Sequence, residues 1–224
     1  MGGPLASAPV RIAVTADLHG YLPPVPACDV LVLAGDLTPA TNHEVGFQAR
    51  WLDETLRPWL ESTPAGHVAA IAGNHDFIFE REPEAVPGDL PWTYLQDSGA
   101  TIDGVRFWGS PWTPWFHDWA FNAPKGDAAE DFLEAKLASA PDDTDVLLIH
   151  GPPAGFGDRT STGHLAGSTA FLRLIDRVEP ALAVYGHIHE GRGAWKRGGS
   201  QLVNASAVRV DYTLVDEPIV VYEI

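Results

Sequence analysis

Two histidines separated by one residue, His187 and His189, follow the short apolar run 181–185 and a turn at Gly186. Four other apolar runs end in a similar way. Asp17-Leu18-His19 follows the first, Gly35-Asp36 the second, Gly73-Asn74-His75-Asp76 the third and His150-Gly151-Pro152 the fourth. Each run therefore delivers an oxygen or nitrogen donor where the backbone leaves it. Any one of these residues has an ordinary use, as a turn cap, a left-handed Asn or a satisfied core histidine. Five runs ending alike do not reduce to such uses. Carboxylate, amide and imidazole donors without cysteine form a hard-to-borderline set, suited to Mn, Fe, Zn, Co or Mg. Seven donors, Asp17, His19, Asp36, Asn74, His150, His187 and His189, are too many for one ion and suit two ions sharing a carboxylate. In extended chain, residues two apart point to one side, so Asp17 with His19, and His187 with His189, would each serve one point. No Ser or Cys stands in a nucleophile motif, which turns the expected chemistry toward water activated by metal.

The segments that must carry these donors are "RIAVTAD", "DVLVLAGD", "HVAAIAGNHD", "DVLLIHGPP" and "ALAVYGHIH". Their continuous apolar stretches fit strands buried on both faces. Ligands of open α/β sheets gather beyond the carboxyl ends of such strands, where the donors stand. Helical spacing predicts a helix over about 42–60, through Phe47, Trp51, Leu52, Leu56 and Trp59, and another over about 127–138, through Phe132, Leu133 and Leu137. A third runs from Ser168 as N-cap to about 178, through Phe171, Leu172 and Ile175. Strand and helix alternation gives an α/β protein. With no internal repeat or long linker, a single domain over 1–224 is expected, with 1–9 as a flexible N-terminus.

The ordered series "DLH", "GDLT", "GNHD", "HGPP" and "GHIH" across residues 17 to 189 resembles the calcineurin-like metallophosphoesterase superfamily. "GSPWTPWFHDWAFN", "HGPPAGF", "GHIHEGRG" and "VNAS" resemble its branch of small metallophosphoesterase-domain proteins of the fetal-brain type. The resemblance implies a four-layer α-β-β-α sandwich of two mixed sheets, with a dinuclear site at the strand C-terminal ends. It assigns Asp17, His19, Asp36 and His189 to the first ion and Asp36, Asn74, His150 and His187 to the second, with Asp36 bridging. His75 is implied as general acid or as clamp on the leaving oxygen. The expected activity is phosphodiester hydrolysis of small or cyclic nucleotides, with hydroxide generated at two divalent ions, Mn²⁺ foremost. A phosphomonoesterase or protein phosphatase would use the same donors, and a non-catalytic scaffold is the reading from another class. Asp76 is read either as a residue orienting His75 or as a turn residue.

The 224 residues are 45% apolar, enough for a substantial core, and carry a formal charge of −16. Such acidity argues against a nucleic-acid polymer or an anionic membrane as partner and leaves a small phosphoester substrate open. The start "MGGPLASAPV" has no cationic leader, and no apolar run is long enough to span a bilayer, so a soluble, cytoplasmic protein is expected. Cys28, the one cysteine, is expected as a buried thiol. The aromatic loop 110–122 offers Trp112 and Trp115 either to a nucleobase or to a small core of its own. Arg159 and His164, in the loop after "HGPP", are further substrate candidates, and Asn204 and Ser206 are expected behind the ligands. His117 is read as surface; His43 and His67 fall outside the strand-end set.

Overall fold

The computed structural model describes residues 9–224, so the expectation for 1–9 lies, but for Pro9, outside the described residues. The five apolar runs form strands β1 (Arg11–Thr15), β2 (Cys28–Ala34), β3 (Ala65–Ile71), β7 (Val146–Ile149) and β8 (Leu182–Tyr185). Short strands β4 (Thr93–Tyr94) and β11 (Val220–Glu223) and the hairpins β5 (Ser98–Ile102) with β6 (Val105–Ser110), and β9 (Gly193–Arg197) with β10 (Ser200–Asn204), complete two mixed sheets. Their orders are β11-β1-β2-β3-β4 and β5-β6-β7-β8-β10-β9. The pairs β1–β2, β2–β3, β6–β7, β7–β8 and β8–β10 are parallel, so these strands end on a common edge within each sheet.

Alternation along each strand explains why the runs are apolar throughout. In β2, Val30, Val32 and Ala34 meet the other sheet, while Leu31 and Leu33 meet helices α1 (Val45–Trp51), α2 (Arg57–Ser62) and α3 (Phe77–Arg81). In β7, Val146 and Leu148 enter the inter-sheet core, while Leu147 and Ile149 meet helices α4 (Ala128–Leu137) and α5 (Thr169–Val178). The result is helix, sheet, sheet, helix, the four layers implied by the motif series. Each fully buried Leu, Ile or Val contributes about 1.5–3 kcal/mol, and this burial supports the polar donors collected at the sheet edge.

Ser168 caps α5, its hydroxyl accepting the Ala170 N–H at 3.0 Å. Cys28 is buried and unpaired. The helix expected over 42–60 is interrupted: α1 passes into a π-helical turn, Leu52–Leu56, before α2. Pro58 explains the widening, because it has no N–H for the carbonyl four residues back and its ring crowds that position. No helix among the described residues is long and apolar enough to cross a membrane.

Candidate metal centre

Two backbone seams bring the sheets' carboxyl edges together. Ala16, just past β1, donates to Ala205 at 3.0 Å and accepts from Ala207 at 2.7 Å, joining the first sheet to the chain beyond β10. His150, just past β7, donates its Nδ1–H to the Ala34 carbonyl at the end of β2 at 2.9 Å. That second bond also fixes which ring nitrogen is occupied and leaves Nε2 facing inward.

The seven donors converge at this junction. His19 Nε2 lies 3.2 Å from His189 Nε2, and His189 Nε2 lies 3.6 Å from Asp17 Oδ1. His150 Nε2 and His187 Nδ1 both approach Asn74 Oδ1, at 2.9 and 2.6 Å. Asp36 Oδ2 stands between the two groups, 3.7 Å from His19 Nε2 and 3.4 Å from His150 Nε2. Donor atoms held about 2.0–2.2 Å from one ion lie roughly 3.0–3.6 Å from one another, a range that holds the His19–His189, His189–Asp17 and His150–Asp36 spacings, with the His19–Asp36 spacing just beyond it and the two contacts of Asn74 Oδ1 at hydrogen-bond length. Among the described residues, Asn74 Nδ2 and His19 Nδ1 are buried without partners, a cost the centre carries while Asn74 Oδ1 and His19 Nε2 face the other donors. The donors fit two divalent ions, with Asp17, His19 and His189 on one side, Asn74, His150 and His187 on the other, and Asp36 between.

The expectation that donors two apart share a point through extended chain is corrected for the histidine pair. Asp17, His19, Asp36 and His187 have φ of 51°, 45°, 54° and 68°. A left-handed turn at His187 sends that imidazole to Asn74, while His189 turns back to Asp17. Asp17 and His19 still converge, through two left-handed residues and not through a strand. Such conformations cost roughly 1–2 kcal/mol each for residues with a Cβ, a strain the surrounding fold holds in place at functional sites. Glycines make room beside the carboxylates. A Cβ on Gly186 would lie 2.1 Å from Asp17 Oδ2, and one on Gly73 would lie 2.4 Å from Asp36 Oδ1.

Supporting bonds hold the carboxylates. Asp17 accepts the His187 N–H at 3.0 Å and the Ser206 hydroxyl at 2.6 Å; Ser206 in turn donates its N–H to Asn204 Oδ1 at 3.1 Å. Asn204 Nδ2 donates to the Ile188 carbonyl at 2.9 Å and so fixes the turn between the two histidines. Burial works against charge on Asp36, yet the imidazoles of His150, His75 and His19 hold its carboxyl well below the usual range. Burial likewise opposes charge on Asp17, and the His189 hydrogen bond and charge bring it to about 2. His150 is pushed up to about 9 because Asp36 overcomes its burial, whereas burial and then His150 hold His187 down at about 3.

His75 sits against these donors, one ring nitrogen within 4.8 Å of ligand atoms of His19 and Asp36. The His75 backbone N–H donates to Asp36 Oδ1 at 2.7 Å. Among the hydrogen bonds of Asp76, none goes to the His75 ring. Asp76 is fully buried and accepts the Leu37, Thr38 and Gly73 N–H groups at 2.9–3.1 Å, so it ties the turns after β2 and β3 together. The ring's partner is His43, whose Nε2 lies 2.9 Å from His75 Nδ1. Neither His43 nor Tyr212, whose ring lies 4.8 Å from that of His19, carried a sequence signal, because both stand in turns outside the apolar runs.

The cleft over the donors has two arms. One, of about 680 Å³, runs past His19, Tyr21, Pro39, Thr41 and His43; the other, of about 520 Å³, runs past Trp115, Phe116, Thr160, His164, Val210 and Glu190. His75, Trp119 and Tyr212 border both. Trp115 and His164 thus reach the cleft. Trp112 does not line it: its indole donates to Asp97 at 3.0 Å and packs edge-on against Phe121 and Phe132. Arg159 lines a separate groove of about 450 Å³ with Arg192 and Trp195. His117 is exposed, as is His67, which lies 3.5 Å from Asp103.

The family model described as calcineurin-like phosphoesterase matches residues 10–191. Metallophosphoesterase domain-containing protein 1 of Homo sapiens is 35% identical over 239 residues, covering 94% of this chain and 70% of that protein. UPF0046 protein K07C11.7 of Caenorhabditis elegans is 31% identical over 230 residues, covering 95% of this chain and 75% of that protein. Among solved structures, the phosphopantetheinyl hydrolase PptH of Mycobacterium tuberculosis superposes with a TM-score of 0.61 over 98% of this chain and 97% of that one, at 15% identity, a likeness of fold. By its matched length and its convergent donors, the chain belongs to the calcineurin-like phosphoesterase family, whose members are metal-dependent phosphoester hydrolases.

Proposed function

We propose that the chain hydrolyses small phosphodiesters, nucleotides among them, using two divalent ions of which Mn²⁺ is the first choice. The observation that carries the diester is the two-armed cleft, which meets the donors on both sides of the ridge formed by His75, Trp119 and Tyr212. A phosphate with two organic substituents has an arm for each. Among the described residues, no Lys or Arg lines either arm, so beyond the ions these residues offer no fixed cation for a second phosphate. That absence, with a net charge of −16, favours a substrate carrying one phosphate over a polyphosphate or a nucleic-acid polymer. Two divalent ions, when bound, supply a water-derived nucleophile at neutral pH and take up charge on the phosphoryl oxygens.

The remaining work falls to side chains. His75 Nε2 makes no hydrogen bond among the described residues, the ring's one such bond being at Nδ1, and is the nitrogen available to the leaving oxygen, where proton donation is worth on the order of 10²–10⁴ in rate. Trp119, with its ring centroid 4.2 Å from that of His75, and Tyr212, over His19, limit water at the reacting centre. Trp115 and Phe116 offer apolar faces to a ring substituent, with His164 at the rim. Manganese suits a set of two carboxylates, one amide and four imidazoles, with no thiolate.

The test compares bis(p-nitrophenyl) phosphate with p-nitrophenyl phosphate under saturating Mn²⁺. The diester should be favoured at least about tenfold in kcat/KM, a difference of about 1.4 kcal/mol in transition-state binding. Preference for the monoester would reverse the reading, and absence of turnover on both, with two ions bound, would favour a scaffold.

A further inference from the structure

We infer that His43 is the positioning residue for His75. The inference rests on the reading of His75 as the group facing the leaving oxygen, and it concerns what holds that ring. His43 belongs to neither the metal donors nor the motif series, yet its Nε2 lies 2.9 Å from His75 Nδ1. The remaining contacts of the His75 ring are made by ring faces and edges. Trp119 lies against it at 4.2 Å between centroids, and His19 meets it edge to face at 4.8 Å. Those contacts restrict the ring's plane but do not distinguish its two nitrogens. Among the described residues, only the hydrogen bond between His75 Nδ1 and His43 Nε2 does.

His43 is itself held. The turn before α1 is tied by the Glu44 N–H donating to Asn42 Oδ1 at 2.9 Å, and the His43 ring lies against Phe77, 4.7 Å between centroids. Phe77 opens α3, directly after His75 and Asp76, so the ring and its anchor are built on one short unit. Gln48 completes that unit. Its amide donates to the His75 carbonyl at 2.7 Å and accepts the Ile78 N–H at 2.9 Å, fixing the backbone of His75 to the helix that follows His43. Both His43 and His75 border the arm of the cleft beside His19.

The chemistry follows from which nitrogen is occupied. With Nδ1 engaged by His43, Nε2 is the nitrogen presented to substrate. As the bond between phosphorus and the leaving oxygen breaks, its electron pair stays with that oxygen, which takes the proton from His75 Nε2. His75 keeps its Nδ1 proton, still donated to the His43 Nε2 lone pair, and passes from imidazolium to neutral imidazole without losing its anchor. His43 neither gains nor loses a proton in this step.

The experiment uses His43→Ala, His43→Gln and, in parallel, His75→Ala, on the Mn²⁺-loaded and the metal-free protein. His43→Ala should keep two ions by metal analysis and lower kcat about 10- to 100-fold on a diester with an alkyl or ribosyl leaving group, the range for losing a partner that orients a functional imidazole. The loss should be at least about fivefold smaller with p-nitrophenolate leaving, which needs little protonation. His43→Gln, whose amide oxygen reaches a similar point, should recover most of the rate. In the metal-free protein, long-range proton–nitrogen NMR should find the His75 Nδ1 resonance, assigned by its absence in His75→Ala, moved in His43→Ala and largely restored in His43→Gln. An unmoved resonance, equal losses on both leaving groups or loss of metal in His43→Ala would overturn the inference. If instead His75→Ala shows no leaving-group dependence while the resonance moves as expected, the reading of His75 fails and the anchor stands.

Discussion

Asp36 stands between the two groups of donors, and on the proposed two-ion reading both halves depend on it. Its carboxylate lies between His19 and His150, and its second oxygen accepts the backbone N–H of His75. Asp36→Ala should therefore lower the content of both ions, whereas His189→Ala should chiefly reduce one; two fully occupied ions in Asp36→Ala would show that the carboxylate does not bridge. A second expectation concerns protons. Burial disfavours charge on His150, but the neighbouring Asp36 pushes it up to about 9, so in metal-free protein it holds a proton at neutral pH. His189 is raised likewise, by Asp17 against its burial. Ligation needs the bare nitrogen, so metal must displace the His150 proton, and affinity should rise as pH rises through neutrality toward 9. Calorimetry at pH 7 in buffers of different ionisation enthalpy should register proton release; affinity that is flat between pH 6 and 9 would contradict it. The donors were legible in the sequence because each stands at the end of an apolar run. His43 and Tyr212 were not, because only the folded chain brings their turns to the site.

At the scale of elements, the strands that carry donors are buried on both faces and therefore read as continuous apolar runs, while the antiparallel edges do not. β5 and β9, partly exposed, mix polar and apolar residues, and the edges they form escaped sequence reading. The π-helical turn before Pro58 was hidden for a different reason: hydrophobic spacing continues across it and does not report a change in the hydrogen-bond ladder. The aromatic loop divides between the two roles that its composition left open. Trp112 belongs to the packing against α4, where Lys136 also covers its ring at 4.1 Å. Trp119 belongs to the cleft. Trp112→Ala should lower thermal stability by about 3–5 kcal/mol, as for removal of a packed aromatic, and should affect all substrates alike. Trp115→Ala, in the same cleft, should cost less stability and should raise KM more for a base-bearing diester than for a small alkyl one. Equal behaviour of the two variants in melting and kinetics would refute this division.

For the whole molecule, the site is where two sheets are joined at their carboxyl edges, with Ala16 bonded across to Ala205 and Ala207, and His150 bonded across to Ala34. Four of the donors, Asp17, His19, Asp36 and Asn74, come from the first sheet's loops, and three, His150, His187 and His189, come from the second's. Ions bound there would cross-link the sheets, and a ligand at 100 times its dissociation constant adds about 2.7 kcal/mol to stability. The most direct measurement is titration of Mn²⁺ into chelator-stripped protein, following bound metal, melting temperature and turnover of bis(p-nitrophenyl) phosphate together. Two ions should bind per chain, the melting temperature should rise, and turnover should appear only as the second ion fills. Full turnover in the stripped protein, or saturation at a single ion with full activity, would contradict a two-ion hydrolase.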